Sequence, residues 1–289
     1  MKLDGFRGVL LVGSYVELWS RRGTNLTASF PELVEAASAR LSPGVYDGEI
    51  VVWRDGRLDW DQLARRGGSP IRVAAQVSAA PANFAAFDVL ADGATDTRPL
   101  AWARRRELLE TQTWEPPLQL CPSTLDYDEA TAWFESPELR RTGVEGLVAK
   151  DTLARYRPGM RDWLKVKTLE TVDVVVGAVT GTLERPTSVV AGRYTSAGEL
   201  VVVGRTAPLQ SAQAASLAQV LVAAGKHPWP PKIGSGQLGA APVDIVRVDP
   251  VVVVEVSADA ARQGGNRWRH SVRLVRLRPD LVAADVDRV

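Results

Sequence analysis

The chain has 289 residues, of which 45% are apolar, 24% charged and 7% aromatic, a balance that excludes a disordered or collagen-like chain and suits one or two globular domains. Its 35 basic residues nearly cancel 34 acids, leaving a net charge of +1, so any electropositive surface has to be local. One cysteine, Cys121, excludes an internal disulfide or a cysteine-rich metal site and points to a reducing compartment.

In chain order, the opening MKLDGFRG carries charge where a signal peptide would carry an apolar core, which predicts a cytoplasmic protein. Gly8–Leu18 reads as a strand. Pro31–Leu41 reads as a helix, with proline in its first turn. Val45–Trp53 is a strand, and Asp55-Gly56 a tight turn into Arg57–Trp60. Phe84–Leu90 is another strand. Trp102–Gln112 is a helix whose Arg104–Arg106, Glu107 and Glu110 read as a charged face. Asp128–Arg141 holds short helical turns broken at Ser136-Pro137. Val144–Ala149 and Trp163–Lys167 read as two more strands. Helices interleaved with strands predict an α/β or α+β core.

Beyond about residue 171 the texture becomes β-rich. Val172–Val179, Val189–Tyr194, Leu200–Val203, Ile245–Val248 and Val251–Val256 read as strands, with one helix, Ser211–Ala224, stopped by Gly225. A Pro/Gly-rich connection covers His227 to Pro242. This pattern predicts a small β-barrel. No apolar run approaches the roughly 20 residues of a membrane helix, and no membrane partner is expected.

Several short motifs carry chemistry. Lys2-Leu3-Asp4-Gly5-Phe6-Arg7 puts a lysine beside an Asp-Gly turn, alone most often a surface loop. Asp47-Gly48-Glu49 sets two carboxylates inside an apolar strand, which is costly unless they bind something; the plain alternative is a hairpin with outward acids. Glu145 leads into a strand that Lys150 leaves. Trp163-Leu164-Lys165-Val166-Lys167 projects Lys165 and Lys167 from one face, as a site or as a guarded edge strand. Trp163 reads as packing behind that strand. Arg262–Arg278 holds six arginines, one histidine and no acid, either a solvated face or a surface for a polyanion. His227 and His270 are too few and too isolated for a metal site, and most of the nine tryptophans read as core or interface anchors.

The order of the motifs is more specific than any one of them. K-x-D-G-x-R, then Ser20-Arg21-Arg22-Gly23, DGE, Phe87-Asp88, E-G-x-x-x-K, W-x-K-x-K and the closing RPD resemble the ATP-dependent DNA ligases in their compact bacterial form, over nearly the whole chain. The resemblance implies an α+β fold: a nucleotidyltransferase (adenylation) domain over residues 1–170 and an OB-fold barrel over 171–289. It implies that Lys2 attacks the α-phosphorus of ATP. Arg7 and Arg21 would hold sugar or phosphate, Glu49 the ribose, Phe87 the adenine, and Lys165 with Lys167 the α-phosphate. Glu145 matches a metal-site carboxylate for Mg²⁺ or Mn²⁺. Arg276, Arg278 and Asp280 match the last motif, which orients pyrophosphate.

The implied partners are ATP and nicked duplex DNA, near the nucleoid, with repair proteins as further candidates. Family members carry a strand and an acid upstream of the lysine, so the chain is expected to be an N-terminally shortened one. The last motif usually continues Asp-Lys, where this chain has Asp280-Leu281. Two alternatives stand beside the ligase: an RNA ligase or capping-type nucleotidyltransferase, and a nick-binding module with impaired catalysis.

Overall fold

In the computed structural model, residues 1–160, 162–234, 241–259, 261–263 and 267–289 are described. Residues 235–240 of the Pro/Gly-rich connection and 264–266 of the arginine-rich segment lie outside the described residues. The chain divides into two compact units, Met1–Thr168 and Leu169–Val289.

The first unit runs β1 (Phe6–Val12), β2 (Val16–Ser20), α1 (Pro31–Arg40), β3 (Gly44–Arg54), β4 (Arg57–Leu58), α2 (Trp60–Ala64), α3 (Pro70–Ala79), β5 (Ala82–Asp92), β6 (Thr95–Asp96), α4 (Trp102–Glu110), β7 (Leu118–Leu120), α5 (Tyr127–Glu135), α6 (Pro137–Arg141), β8 (Gly146–Ala149) and β9 (Leu164–Lys167). Its main sheet has the order β2-β1-β3-β5-β6. β4 joins it on β3, and β7 pairs with β5 in parallel. The single strand expected over Gly8–Leu18 is a hairpin, because the chain turns at Gly13–Ser14 and pairs Val12 with Val16. Asp55 and Gly56 both have positive φ, 50° and 73°, which is the geometry of a tight two-residue turn between β3 and β4.

Side chains alternate across each strand, and here the alternation separates two jobs. Leu10, Ile50 and Phe84 point to one face, where they meet Leu33 and Ala37 of α1, Leu63 of α2 and Leu109 of α4 in one buried core. The opposite face carries Arg7, Glu49 and Phe87. At Gly48, β3 and β5 press close together: a Cβ there would lie 2.4 Å from the Phe84 ring and 2.8 Å from the Ala85 carbonyl. A glycine between the two acids of DGE is therefore a packing requirement.

Arg104–Arg106 do not form one charged face. Arg104 and Arg106 pair along the helix with Glu107 and Glu110. Arg105 turns inward, 1% exposed, and its guanidinium takes Asp88 through Nε at 2.7 Å and Nη2 at 3.1 Å. Its Nη1 donates to the carbonyls of Leu100 and Ala154.

The second unit runs β10 (Leu169–Gly181), β11 (Pro186–Tyr194), β12 (Leu200–Arg205), α7 (Ser211–Ala218), β13 (Lys232–Ile233), β14 (Val243–Asp244), β15 (Val246–Arg247), β16 (Val253–Asp259), β17 (Arg262–Gln263), β18 (Arg267–Trp268) and β19 (Arg273–Leu277). The order is β12-β11-β10-β16-β19, with β15 on β10. A parallel bridge between Thr206 and Val272 links the two outer strands. The valines of β10, β11 and β16 fill its interior, with Leu217 of α7 and Trp268. The helix expected over Ser211–Ala224 ends at Ala218, because Ala223 is drawn into a bridge with Val248 and Ala224 donates to the Arg247 carbonyl. Among the described residues no helix is long and apolar enough to cross a membrane.

The Arg105–Asp88 pair yields a stability prediction. Arg105→Leu takes from the buried Asp88 carboxylate both guanidinium hydrogen bonds, leaving Lys150 at 3.7 Å, frees two carbonyls, and should cost about 3–5 kcal/mol. Arg104→Leu, on the exposed side of the same helix, should cost less than about 1 kcal/mol. Urea denaturation of both variants is the check; equal losses would contradict the assignment.

Candidate functional site

A cavity of about 830 Å³ opens on the face of the first unit's sheet away from the core. Lys2, Arg7, Arg21, Glu49, Phe87 and Lys165 all line it, as do Lys150, Trp163 and Cys121. A volume of this size suits a nucleotide-sized ligand.

Each side chain arrives there for a local reason. Arg7 of β1 and Glu49 of β3 are register partners, so they sit side by side on the cavity face. Phe87 follows from the same alternation in β5. Lys2 precedes the sheet, but its backbone forms a bridge with Gly146: its N–H donates to the Gly146 carbonyl at 2.7 Å, and Glu145 N–H donates back to the Lys2 carbonyl at 2.9 Å. Gly146 has φ +138°, and a Cβ there would fall 2.1 Å from the Val166 carbonyl, so only glycine lets the chain enter β8 this close to β9. β8 and β9 pair antiparallel, with Gly146 opposite Lys167 and Val148 opposite Lys165.

That pairing converges three charges. The Glu145 carboxylate, with no exposed surface, hydrogen-bonds the Lys2 ammonium and lies 3.5 Å from the Lys167 ammonium. Glu145 and Lys167 thus join the cavity residues through Lys2. Burial lowers the Lys2 ammonium from 10.5 to about 8, helped by the charges of Lys167 and Lys165 and opposed by those of Asp4 and Glu49. Burial raises the Glu49 carboxyl to about 7, against the pull of Lys2 and Arg7. Glu49 Oε1 also accepts the Gly5 N–H at 3.1 Å, tying it to the Asp-Gly turn after the lysine. Burial works against the Arg7 charge, but its hydrogen bonds and attraction to Asp47 prevail, and it stays protonated well above its ordinary value.

Some residues escaped the sequence reading. Lys150 is buried, its ammonium 3.9 Å from the centre of the Trp163 ring and 4.9 Å from that of Phe87. It donates to the Phe87 carbonyl at 2.9 Å, and burial lowers it to about 8 despite Asp88 at 3.7 Å. The signal was its place at the end of E-G-x-x-x-K. Trp163 does not pack behind the lysine strand. It lines the cavity and meets Phe87 edge-on at 5.6 Å. Positions 163, 165 and 167 alternate onto one face, so the rule that grouped the lysines also covered the tryptophan.

Arg276, Arg278 and Asp280 belong to the second unit. The expectation of arginines without acids fails there, because carboxylates come from β10 and β16 and from Asp280 just beyond the segment. Arg276 pairs with Glu255 at 2.6 Å. Arg278 takes Asp173 through Nη1 at 2.9 and 3.0 Å, and Asp280 through Nε and Nη2. The Arg278 hydrogen bond holds Asp280 down at about 2.

Known proteins resemble this chain in sequence. A family model described as an ATP-dependent DNA ligase domain matches residues 1–167. DNA ligase C2 of Mycolicibacterium smegmatis is 35% identical over 96% of this chain and 85% of that protein. DNA ligase C of Mycobacterium tuberculosis is 32% identical with the same coverage. A solved structure from a structure–function analysis of Lig E DNA ligases superposes with a TM-score of 0.55 at 18% identity, over 96% of this chain and 90% of that one, a likeness of fold.

The charge environment of Lys2 can be titrated directly. Its amine should become reactive toward an acylating reagent with a midpoint at pH about 8, as should Lys150, since each is a protonated, inert ammonium below that pH. Peptide mass spectrometry across pH 6–11 resolves the sites. A Lys2 midpoint at the ordinary 10.5 would contradict the arrangement.

Proposed function

The chain belongs to the ATP-dependent DNA ligase family, it acts as a DNA ligase, and from that premise we propose that Lys2 is the residue that takes up AMP. The observation that carries this reading is the place of the Lys2 amine, in a cavity walled by further cations and hydrogen-bonded to the buried Glu145 carboxylate, where burial lowers it to about 8. At neutral pH about a tenth of it is the free amine, which is the nucleophilic form.

The proposed first step forms a bond from Lys2 Nζ to the α-phosphorus of ATP and breaks the bond to the bridging oxygen, so that pyrophosphate leaves with the electron pair. One Lys2 proton passes to solvent before attack, with Glu145 holding the ammonium until then, and a second leaves the nitrogen for solvent as the phosphoramidate forms. Lys165 and Lys167 face the α-phosphate, where charge develops in line. Arg7 and Arg21 hold the sugar and phosphate, Glu49 the ribose, and Phe87 packs on the base. In the later steps AMP passes to the 5′-phosphate of a nick in duplex DNA, and the 3′-hydroxyl displaces it.

Glu145 and Glu49 fit a hard divalent cation, Mg²⁺ or Mn²⁺. Both offer carboxylate oxygens beside Lys2, and the Glu49 carboxyl, pushed up to about 7, gains by meeting a second cation. Such an ion, when bound, neutralises triphosphate charge and eases the departure of pyrophosphate.

The second unit reads best as an OB-fold barrel. Its strand order, with α7 between the third and fourth main strands and the Thr206–Val272 bridge between the outer ones, supports this. Arg276 and Arg278 would orient pyrophosphate from there. We infer that the work is in DNA repair, near the nucleoid, from the resemblance to the bacterial ligases of this family.

Sealing of a nicked duplex tests the assignment. Lys2→Ala should lose ATP-dependent sealing by at least about 10³-fold. It should still close a nick whose 5′-phosphate already carries AMP, because that displacement has no use for the lysine. Sealing with ATP by the variant, or failure on both substrates, would contradict Lys2 as the acceptor.

A further inference from the structure

Asp47 lies in the middle of β3 with none of its side chain exposed, and none of the roles above uses it. Its oxygens take Arg7 along one edge: Oδ1 accepts from Nε at 2.9 Å and Oδ2 from Nη2 at 2.5 Å. The Tyr156 hydroxyl closes a triangle. It donates to Asp47 Oδ2 at 2.9 Å and accepts from Arg7 Nη2 at 2.9 Å. Phe87 and Trp163 flank the guanidinium carbon, with ring centres at 5.5 and 5.3 Å, and the Tyr156 ring meets Trp163 edge-on. Among the described residues the Nη1 arm makes no hydrogen bond, so it is the arm left for a ligand in the cavity.

The hydroxyl is itself anchored. Tyr156 N–H donates to the Arg98 carbonyl at 2.9 Å, and Arg105 stands with its guanidinium carbon 5.7 Å from the Tyr156 ring centre. A buried carboxylate that meets a guanidinium along one edge fixes the plane of that group. A donor–acceptor hydroxyl bridging both removes the remaining freedom to rock. A cation so held needs little reorganisation when phosphate arrives.

We propose that Tyr156 and Asp47 are positioning residues for Arg7, holding its plane so that Nη1 faces the adenylate. This rests on the reading of Arg7 as a contact to the nucleotide. Neither residue touches the reacting atoms. Asp47→Asn leaves Arg7 without its counter-charge and endangers the fold, so Tyr156→Phe, which removes one oxygen, is the working variant.

A double-mutant cycle separates positioning from bulk stability. Lys2 labelling by ATP carrying a radioactive α-phosphate is measured with the full chain, Tyr156→Phe, Arg7→Ala and the double variant, each checked for folding by circular dichroism. Tyr156→Phe should lower kcat/KM for ATP about tenfold when Arg7 is present and less than about twofold when it is alanine. The same fold-loss in both backgrounds, or none in either, overturns the proposal while leaving the site reading intact. Full labelling by Arg7→Ala overturns both.

Discussion

The Glu145 carboxylate stands in a buried position between the ammonium groups of Lys2 and Lys167, and most of the site's behaviour follows from that placement. Lys165, Asp4 and Glu49 also act on Lys2, so amines and carboxylates interleave in a place where water screens poorly. Burial, helped by Lys167 and Lys165, disfavours a proton on Lys2. The geometry depends on backbone: the Lys2–Gly146 bridge sets the lysine against the start of β8, and the left-handed φ of Gly146 lets β8 and β9 close behind it. A side chain at 146 would push Val166 away and take Lys167 with it.

The sheet of the first unit does two things at once because its faces are chemically distinct. Its core face is aliphatic and aromatic, packed on α1 and α4. Its other face holds charge that a dry strand could not tolerate unpaired. Two buried ion pairs, Asp47–Arg7 and Asp88–Arg105, neutralise the acids of β3 and β5, and Tyr156 stands beside both arginines. Such pairs contribute little net stability compared with an apolar replacement. What they supply here is orientation.

Much of this was legible in the chain. The DGE, E-G-x-x-x-K and W-x-K-x-K motifs sit on strands whose alternation can be counted, which is why Arg7, Glu49, Phe87 and Lys165 share one cavity. What the sequence withheld depends on three-dimensional pairing. Arg105 looks like one more surface arginine of an i,i+4 helix until Asp88 of β5 is seen beneath it. Arg276 looks unpaired because Glu255 lies far off in sequence, and so does the Asp173 that joins Asp280 on Arg278. Helices α2 and α3 escaped notice although Asp59 and Ser69 cap them and Pro70 opens the second, since α2 is only five residues long and α3, although apolar, buries only Val73. Trp163 was misplaced for a different reason: a tryptophan beside lysines suggested packing, although its spacing already put it on their face.

In the proposed function Lys2 has one chemical task, bonding to a nucleotide phosphorus through nitrogen. The most direct measurement incubates the chain with ATP and a divalent cation, digests it, and locates the added mass. The account predicts a single adenylate on the peptide containing Lys2, through a phosphoramidate bond that acid cleaves and alkali spares. An adenylate on Lys150 or another residue, or none at any pH between 7 and 9, would contradict it.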